Sequence, residues 1–296
     1  MAKTVLSATD AFNFRQTLHV ATLEALVSSR RWRPGDLIFQ GGTSLHLAYG
    51  SPRFSEDLDF MVNEDLNLNS IASSVKSRLS VSGALPRDMD ITISKIKTEK
   101  NPLSFLVNLG RADMMGTVQV KVELWKAPSS SLENIDALIT PVRLGYGPSS
   151  GLTAQVNVAS INEIYADKVF AVAARGHLKA RDIFDLYWIR KQGQASQVSE
   201  DSLETRLDIY PSEDPENWLE KASSRFASMP GDVDAIFRDL QRWLPRSWPL
   251  SKEIAAEMIE ESRLALSDGI NVMQEIVRER TCRLDREANQ YDGPSL

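Results

Sequence analysis

Gly41-Gly42-Thr43-Ser44-Leu45, followed twelve residues after Leu45 by Asp57-Leu58-Asp59, is the stretch on which the reading of this chain turns. Two glycines ahead of a short helical segment, Thr43 to Tyr49, let backbone N–H groups approach an anion closely. The helix N-terminus adds its partial positive charge. Glu56-Asp57-Leu58-Asp59-Phe60-Met61-Val62 reads as a strand, so Asp57 and Asp59 share a face with Cα atoms ~6.6–7 Å apart. Two carboxylates at that spacing can share one or two Mg²⁺ (or Mn²⁺) ions against a triphosphate. A surface hairpin with ordinary acidic residues would account for either half alone. The two halves at short range and in this order point to phosphate and metal together.

Outward from this stretch, Leu37-Ile38-Phe39 is a short strand running into the glycines. Arg33-Pro34-Gly35-Asp36 separates it from a helix over residues 8–29. Ser7 and Thr9 are candidate caps of that helix, and Phe12, Leu18, Ala21, Leu23, Leu26 and Val27 give its apolar face. Gly50-Ser51-Pro52 turns the chain toward the Asp57 strand. Residues 66–80 read as a helix and Met89 to Lys95 as a strand. In Thr117-Val118-Gln119-Val120-Lys121-Val122-Glu123-Leu124-Trp125, the valines and Leu124 share one face and Gln119, Lys121, Glu123 and Trp125 the other. This predicts a half-buried strand. Glu123 is the natural third carboxylate beside Asp57 and Asp59, and a solvent-exposed Lys121–Glu123 pair is the plainer alternative. Pro128 to Gly151, rich in Ser, Pro and Gly, predicts a loop, a short strand around Pro141 to Leu144, and a domain boundary. Beyond it the chain reads as mainly helical, ending in helices over 251–267 and 269–290 and a disordered tail from Asn289 to Leu296. There is no internal repeat.

With 296 residues, 42% of them hydrophobic, the chain can fill one large core or two modest ones. It has no apolar run of about 18 residues, so no membrane span is expected. Met1 to Ser7 carry no long apolar h-region, so no signal peptide is expected. Cys282 is the single cysteine, which excludes an intramolecular disulfide and a Cys-rich zinc site, and His19, His46 and His177 form no metal motif. A cytoplasmic protein is the expectation. The formal net charge of −6 argues against a chain that coats nucleic acid non-specifically. It leaves room for a local basic groove. Between Lys168 and Lys191 there are six basic residues against Asp182 and Asp185. A smaller cluster, Arg30, Arg31 and Arg33 around Trp32, reads as a solvated surface.

Residues 160–186 hold the densest chemistry. Ser160 with Glu163 reads as a capping box opening a helix. Lys168, Arg175 and Asp182 follow at intervals of seven, on one helical face. On one straight helix Lys168 and Asp182 would stand ~21 Å apart. They meet only if the helix breaks, and Gly176 is placed to end it. A second helix from about Lys179 would then fold back and bring Asp182 toward Lys168. In the functional reading Lys168 offsets charge on the triphosphate or leaving pyrophosphate. Asp182 accepts or positions the proton of an attacking hydroxyl. Arg175, Lys179 and Arg181 hold a nucleotide or a nucleic-acid backbone. In the plainer reading Arg181 pairs with Asp185 and Lys168 is solvated. Trp218, Trp243 and Trp248, with Phe226 and Phe237, read as core more than as a base-stacking platform.

Together these stretches resemble the AbiEii family of nucleotidyltransferase-like toxins, of the DNA polymerase β-like superfamily, found in abortive-infection and toxin–antitoxin systems. The match is carried by Gly41-Gly42-Thr43-Ser44-Leu45 with Arg53, Ser55, Asp57 and Asp59; by Lys121-Val122-Glu123; and by the series Ser160, Glu163, Lys168, Ala171, Arg175, Lys179, Arg181, Asp182, Asp185, Leu186. It covers residues ~35–190. Two positions depart from the family. Trp125 stands where another acidic residue is frequent, and the Gly-Ser of the first motif is Gly42-Thr43, with Ser44 next.

The resemblance implies an α+β fold: a mixed-sheet nucleotidyltransferase core flanked by helices over residues 1–150, then a mainly helical domain over 151–296, with the site in the cleft between them. It implies Mg²⁺ on Asp57, Asp59 and Glu123. The phosphates would be held by Gly41, Gly42, Thr43 and Ser44, with Arg53 and Lys121 also binding the nucleotide. Asp57, Asp59, Lys168 and Asp182 would be catalytic, and Arg175, Lys179 and Arg181 would bind RNA. The activity implied is transfer of a nucleoside monophosphate from an NTP, for some members to the 3′ end of tRNA, which stops translation. A cognate antitoxin that neutralises without a stable complex is implied too. Two other readings compete: transfer to a protein hydroxyl, and a non-catalytic nucleotide-binding partner protein.

Overall fold

The computed structural model describes residues 4–33, 35–63, 65–144, 151–195 and 197–291. Residues 145–150 of the predicted loop and 292–296 of the predicted tail lie outside them. The chain divides into two compact units, Met1–Ser160 and Ile161–Leu296.

The first unit runs β1 (Thr4–Val5), α1 (Ala8–Val27), β2 (Leu37–Gln40), α2 (Gly41–Tyr49), β3 (Asp57–Asn63), α3 (Leu68–Ser80), β4 (Asp90–Lys97), β5 (Leu103–Gly110), β6 (Met114–Met115), β7 (Val118–Ala127), α4 (Ser129–Glu133), β8 (Ala137–Arg143) and β9 (Thr153–Ala159). β1 and β6 form a small parallel pair. The other strands form a seven-stranded mixed sheet in the order β4-β5-β7-β3-β2-β9-β8. The pairs β3–β7 and β2–β9 are parallel and the rest antiparallel.

Alternation decides what each face of this sheet does. Leu58, Phe60 and Val62 of β3 and Val118, Val120, Val122 and Leu124 of β7 are buried in one core with Leu18 and Leu26 of α1 and Val75 and Leu79 of α3. Each such side chain contributes about 1.5–3 kcal/mol by leaving water. Asp57, Asp59, Gln119, Lys121 and Glu123 therefore project from the opposite face. Ser7 opens α1 as read, its side chain accepting the Asp10 N–H at 3.1 Å.

β5 and β9 had no counterpart in the sequence reading. In β5, Leu103-Ser104-Phe105-Leu106-Val107-Asn108-Leu109-Gly110, nearly every residue is buried. A strand covered on both faces loses the alternation that marks half-buried ones. β9, Thr153-Ala154-Gln155-Val156-Asn157-Val158-Ala159, begins directly after the Ser/Gly-rich stretch, whose turn-forming composition masks it, and it pairs with β8 over its full length.

His19 of α1 is fully buried and donates Nε2–H to the Glu56 carbonyl at 2.9 Å, tying α1 to the entry of β3. Burial holds its imidazole down to about 4 from the ordinary 6.5. The unfolded chain binds the proton first, so stability is full above pH 6.5 and is lost as pH falls toward 4. The loss expected from this group is about 3 kcal/mol. Urea unfolding at pH 7, 6, 5 and 4.5 should show it, and His19→Leu should flatten that slope.

The second unit runs α5 (Ile161–Ala174), α6 (Ala180–Lys191), α7 (Glu200–Ile209), α8 (Pro215–Ser228), a 3-10 turn (Met229–Asp232), α9 (Val233–Leu240) and α10 (Lys252–Tyr291). α10 is one helix of 40 residues where the sequence reading broke it in two near Gly269. That glycine permits close packing instead of ending the helix. A Cβ there would lie 2.6 Å from Val169 Cγ1 and 3.4 Å from the Trp218 ring. Glu163, read as the partner of Ser160 in a capping box, also faces the helical interior. It is buried, ion-paired to Arg206 and hydrogen-bonded by Ser202 at 3.2 Å, while the Ser160 N–H goes to the Asp136 carbonyl at 2.8 Å. Trp218 is core, donating to the Phe170 carbonyl at 3.1 Å, and Trp248 packs edge-on to Phe184. Among the described residues no helix is long and apolar enough to cross a membrane.

Candidate active site

The donor half lies in the first unit. α2 begins at Gly41 itself, two residues earlier than read, and no side chain caps its N-terminus at Gln40. Gly41 has φ +80°, and a Cβ on it would sit 2.6 Å from Asp59 Oδ2. Glycine is thus required twice, for the left-handed turn and for the approach of the carboxylate. At Gly42 a Cβ would collide with the Arg53 guanidinium. Arg53 is itself buried, 2% exposed, and donates to the Phe54 carbonyl at 2.9 Å. It buttresses the glycine turn from beneath.

The hydroxyls sit differently from the sequence expectation of phosphate ligands. Thr43 and Ser44 are fully buried. Thr43 donates to the Asp57 carbonyl, and Ser44 donates to the Gly41 carbonyl at 2.8 Å. Their protons are spent on main chain. Thr43 thereby fastens the start of α2 to the start of β3, and Ser44 closes the first turn of α2 on itself.

Strand register then places the carboxylates. Asp57 lies opposite Lys121, and Asp59 opposite Glu123, in the parallel β3–β7 pair. Asp57 and Asp59 share a face with Lys121 and Glu123 across it. Lys121 is ion-paired to Glu123. Partial burial pulls the Lys121 pKa down, but the hydrogen bond and charge of Glu123, with Asp57 and Asp59 behind them, outweigh it and leave the pKa raised. Among the described residues no three His, Cys, Asp or Glu side chains are arranged as a metal-holding group. The donor chemistry nevertheless fits Mg²⁺ or Mn²⁺: hard anionic oxygens on one sheet face, with a glycine opening room for one of them.

The second constellation lies in the second unit. α5 ends at Ala174, and α6 starts at Ala180 with Lys179 as its N-cap residue. The turn at Gly176 folds α6 back, and Lys168 Nζ meets Asp182 Oδ1 at 2.7 Å and Asp185 Oδ2 at 3.0 Å. All three are buried, Asp185 completely. Arg175 pairs with the second oxygen of Asp182. Lys168 is therefore not solvated, and Arg181 does not make the pair with Asp185 that the plainer reading supposed; it stacks on the Trp243 ring at 4.3 Å. The part of Asp185 was missed, although Asp182 and Asp185 stand three apart on one helix, the spacing of a shared face. Lys179 is half-exposed, and its pKa is lowered by partial burial and then by Arg175, with Arg181 and Lys168 behind it, against the opposing pull of Asp182. Cations thus crowd at the start of α6.

A family model described as the nucleotidyl transferase AbiEii toxin of type IV toxin–antitoxin systems matches residues 26–245. The chain is similar in structure to MenT4, a nucleotidyltransferase toxin from Mycobacterium tuberculosis, at 16% identity and a TM-score of 0.54, covering 87% of this chain and 85% of that one. It is also similar to JHP933 from Helicobacter pylori, at 21% identity and a TM-score of 0.48, covering 96% and 99% of the two chains. A comparison with functionally curated proteins returned no match. The matched span contains every residue of both constellations, and the chain belongs to the AbiEii family of nucleotidyl transferase toxins.

Proposed function

We propose that this protein transfers a nucleoside monophosphate from an NTP to RNA, with the 3′ end of tRNA as acceptor, and that the transfer blocks translation. The observation that carries the donor side is the register of β3 and β7. It sets Asp57 and Asp59 beside Glu123 on the sheet face served by the glycine turn of α2. Asp57, Asp59 and Glu123 would hold a divalent cation, which when bound supplies positive charge to the phosphates. The Gly41 and Gly42 backbone grips the phosphates, and Lys121 adds a cation to them. An acceptor hydroxyl forms a bond to the α-phosphorus, the bond from that phosphorus to the bridging oxygen of the β-phosphate breaks, and pyrophosphate leaves with the electron pair.

For the acceptor side, the cationic crowding of Arg175, Lys179 and Arg181 favours a polyanion, whose phosphates relieve the mutual repulsion. Asp182 takes or orients the hydroxyl proton. One of its oxygens is held by buried Lys168 and the other by Arg175, whose side chain is 37% exposed. Arg175 is the partner that an RNA phosphate can draw away, and Lys168 keeps Asp182 in place. A cognate antitoxin is the expected partner of such a toxin, and the cytoplasm its expected place of action.

The test is purified protein with Mg²⁺ and total tRNA, given each α-³²P NTP separately. Labelled tRNA with one nucleotide is the expected result. Label on protein, resistant to ribonuclease, would replace RNA by a protein hydroxyl as acceptor, and no label with any nucleotide would overturn the proposal.

A further inference from the structure

The sheet face that carries Asp57, Asp59 and Glu123 also carries a lysine. Lys121 lies opposite Asp57 in the register and two residues before Glu123 on the same strand, so its side chain shares that face with all three carboxylates. Its ammonium is in contact with Glu123. Three carboxylates stand in adjacent register positions, yet no three acidic groups are assembled as a metal cage among the described residues. One of them is already engaged by a cation that belongs to the protein.

We infer that Lys121 is a displaceable counter-ion: it neutralises Glu123 while the carboxylate face is without metal, and it gives Glu123 up to a divalent cation. The inference rests on the reading of Asp57, Asp59 and Glu123 as the metal-holding set. The magnitudes favour exchange. The Lys121 and Glu123 side chains are 38% and 26% exposed. An ion pair so accessible to water contributes only about 0–1 kcal/mol. A divalent cation carries twice the charge of the ammonium and would draw on all three carboxylates, where the ammonium pairs with Glu123 and feels Asp57 and Asp59 through charge alone. The lysine yields, and its flexible four-carbon stem leaves it able to follow the phosphates that arrive with the metal.

Two functions follow from one residue. Without nucleotide, Lys121 offsets repulsion among three like charges and weakens the site's hold on metal alone. With a metal–triphosphate complex, both exchange partners are supplied at once: the metal for Glu123 and a phosphate for Lys121. The site then favours metal that arrives with nucleotide over metal that arrives by itself.

The experiment is Mn²⁺ binding to the full chain in the absence of nucleotide, followed by electron paramagnetic resonance of the free ion. The samples are the unaltered protein, Lys121→Gln, Lys121→Arg and Asp59→Asn. Lys121→Gln should bind Mn²⁺ up to about fivefold more tightly, because an ion pair of up to about 1 kcal/mol no longer competes for Glu123. Lys121→Arg, which keeps the charge, should stay near the unaltered protein, and Asp59→Asn should bind more weakly. Unchanged or weaker binding in Lys121→Gln, with binding lost in Asp59→Asn, would overturn the counter-ion and leave the metal site standing. Affinity indifferent to both substitutions would overturn both readings.

Discussion

Asp59→Asn is expected to lower nucleotidyl transfer by about 10³-fold or more while leaving a folded protein. Asparagine keeps the shape of the side chain and removes its charge. Asp59 sits where three structural requirements meet: opposite Glu123 in the β3–β7 register, on the face of Asp57, and against the Cα of Gly41. Charge stabilisation of a transferring phosphoryl group by a protein-held cation amounts to several kcal/mol, and about 4 kcal/mol corresponds to roughly 10³ in rate. The melting temperature should hold, since the substitution keeps the shape of the side chain. The measurement is initial rate of label transfer beside a thermal melt. A rate within tenfold of the unaltered protein, at an unchanged melting temperature, would remove Asp59 from the chemistry.

Lys168→Met should produce the largest loss of stability. The substitution takes the ammonium from between Asp182 and Asp185, which it meets at 2.7 and 3.0 Å, and leaves two buried carboxylates without it. Breaking a buried pair from one side costs about 3–5 kcal/mol, because the abandoned charge remains desolvated. The melting temperature should fall by roughly 10 °C. The double variant Lys168→Met, Asp185→Leu separates this cause from a mere loss of packing. Removing a second charge should recover part of the loss, with coupling of about 1–3 kcal/mol between the two positions. A double variant as unstable as the sum of the single ones would argue that packing, not charge, holds the hairpin. The single variant should also lose transfer, since Asp182 is held in place by the same ammonium.

What could be read from the chain beforehand follows a physical line. Periodicity exposed β7, whose valines alternate against Gln119, Lys121 and Glu123, and the break at Gly176 followed from asking how Lys168 and Asp182 could meet. Both are local or near-local signals. β5 escaped because a strand buried on both faces carries no alternation, and β9 because it begins at once after a stretch of turn-forming residues. α10 was cut at Gly269 because glycine is a poor helix residue taken alone. Its reason for being there is the side chain of Val169, a hundred residues earlier and invisible to any local window. In the site, residue types were legible but not the direction of their hydrogen bonds. A hydroxyl beside a glycine turn suggests a phosphate ligand. Only three-dimensional structure shows that Thr43 faces the Asp57 carbonyl and Ser44 the Gly41 carbonyl. The same holds for the shared lysine of Asp182 and Asp185.

The length of α10 bears on when the second unit can complete its fold during synthesis. The helix ties itself to α6 late in the sequence: Ser262 donates to the Ile183 carbonyl at 3.2 Å, Glu261 holds Arg190 at 2.8 Å, and Glu257 holds Lys191 at 2.8 Å. Met258, Ile259, Ala265, Leu266, Met273 and Ile276 fill the same interior. A ribosome that has translated the hairpin bearing Lys168 and Asp182 still has these anchors to make. Contacts between distant parts of a chain form only after both parts exist. The growing polypeptide therefore carries the α5–α6 hairpin on an unfinished scaffold until the α10 residues from Glu257 to Ile276 have been made.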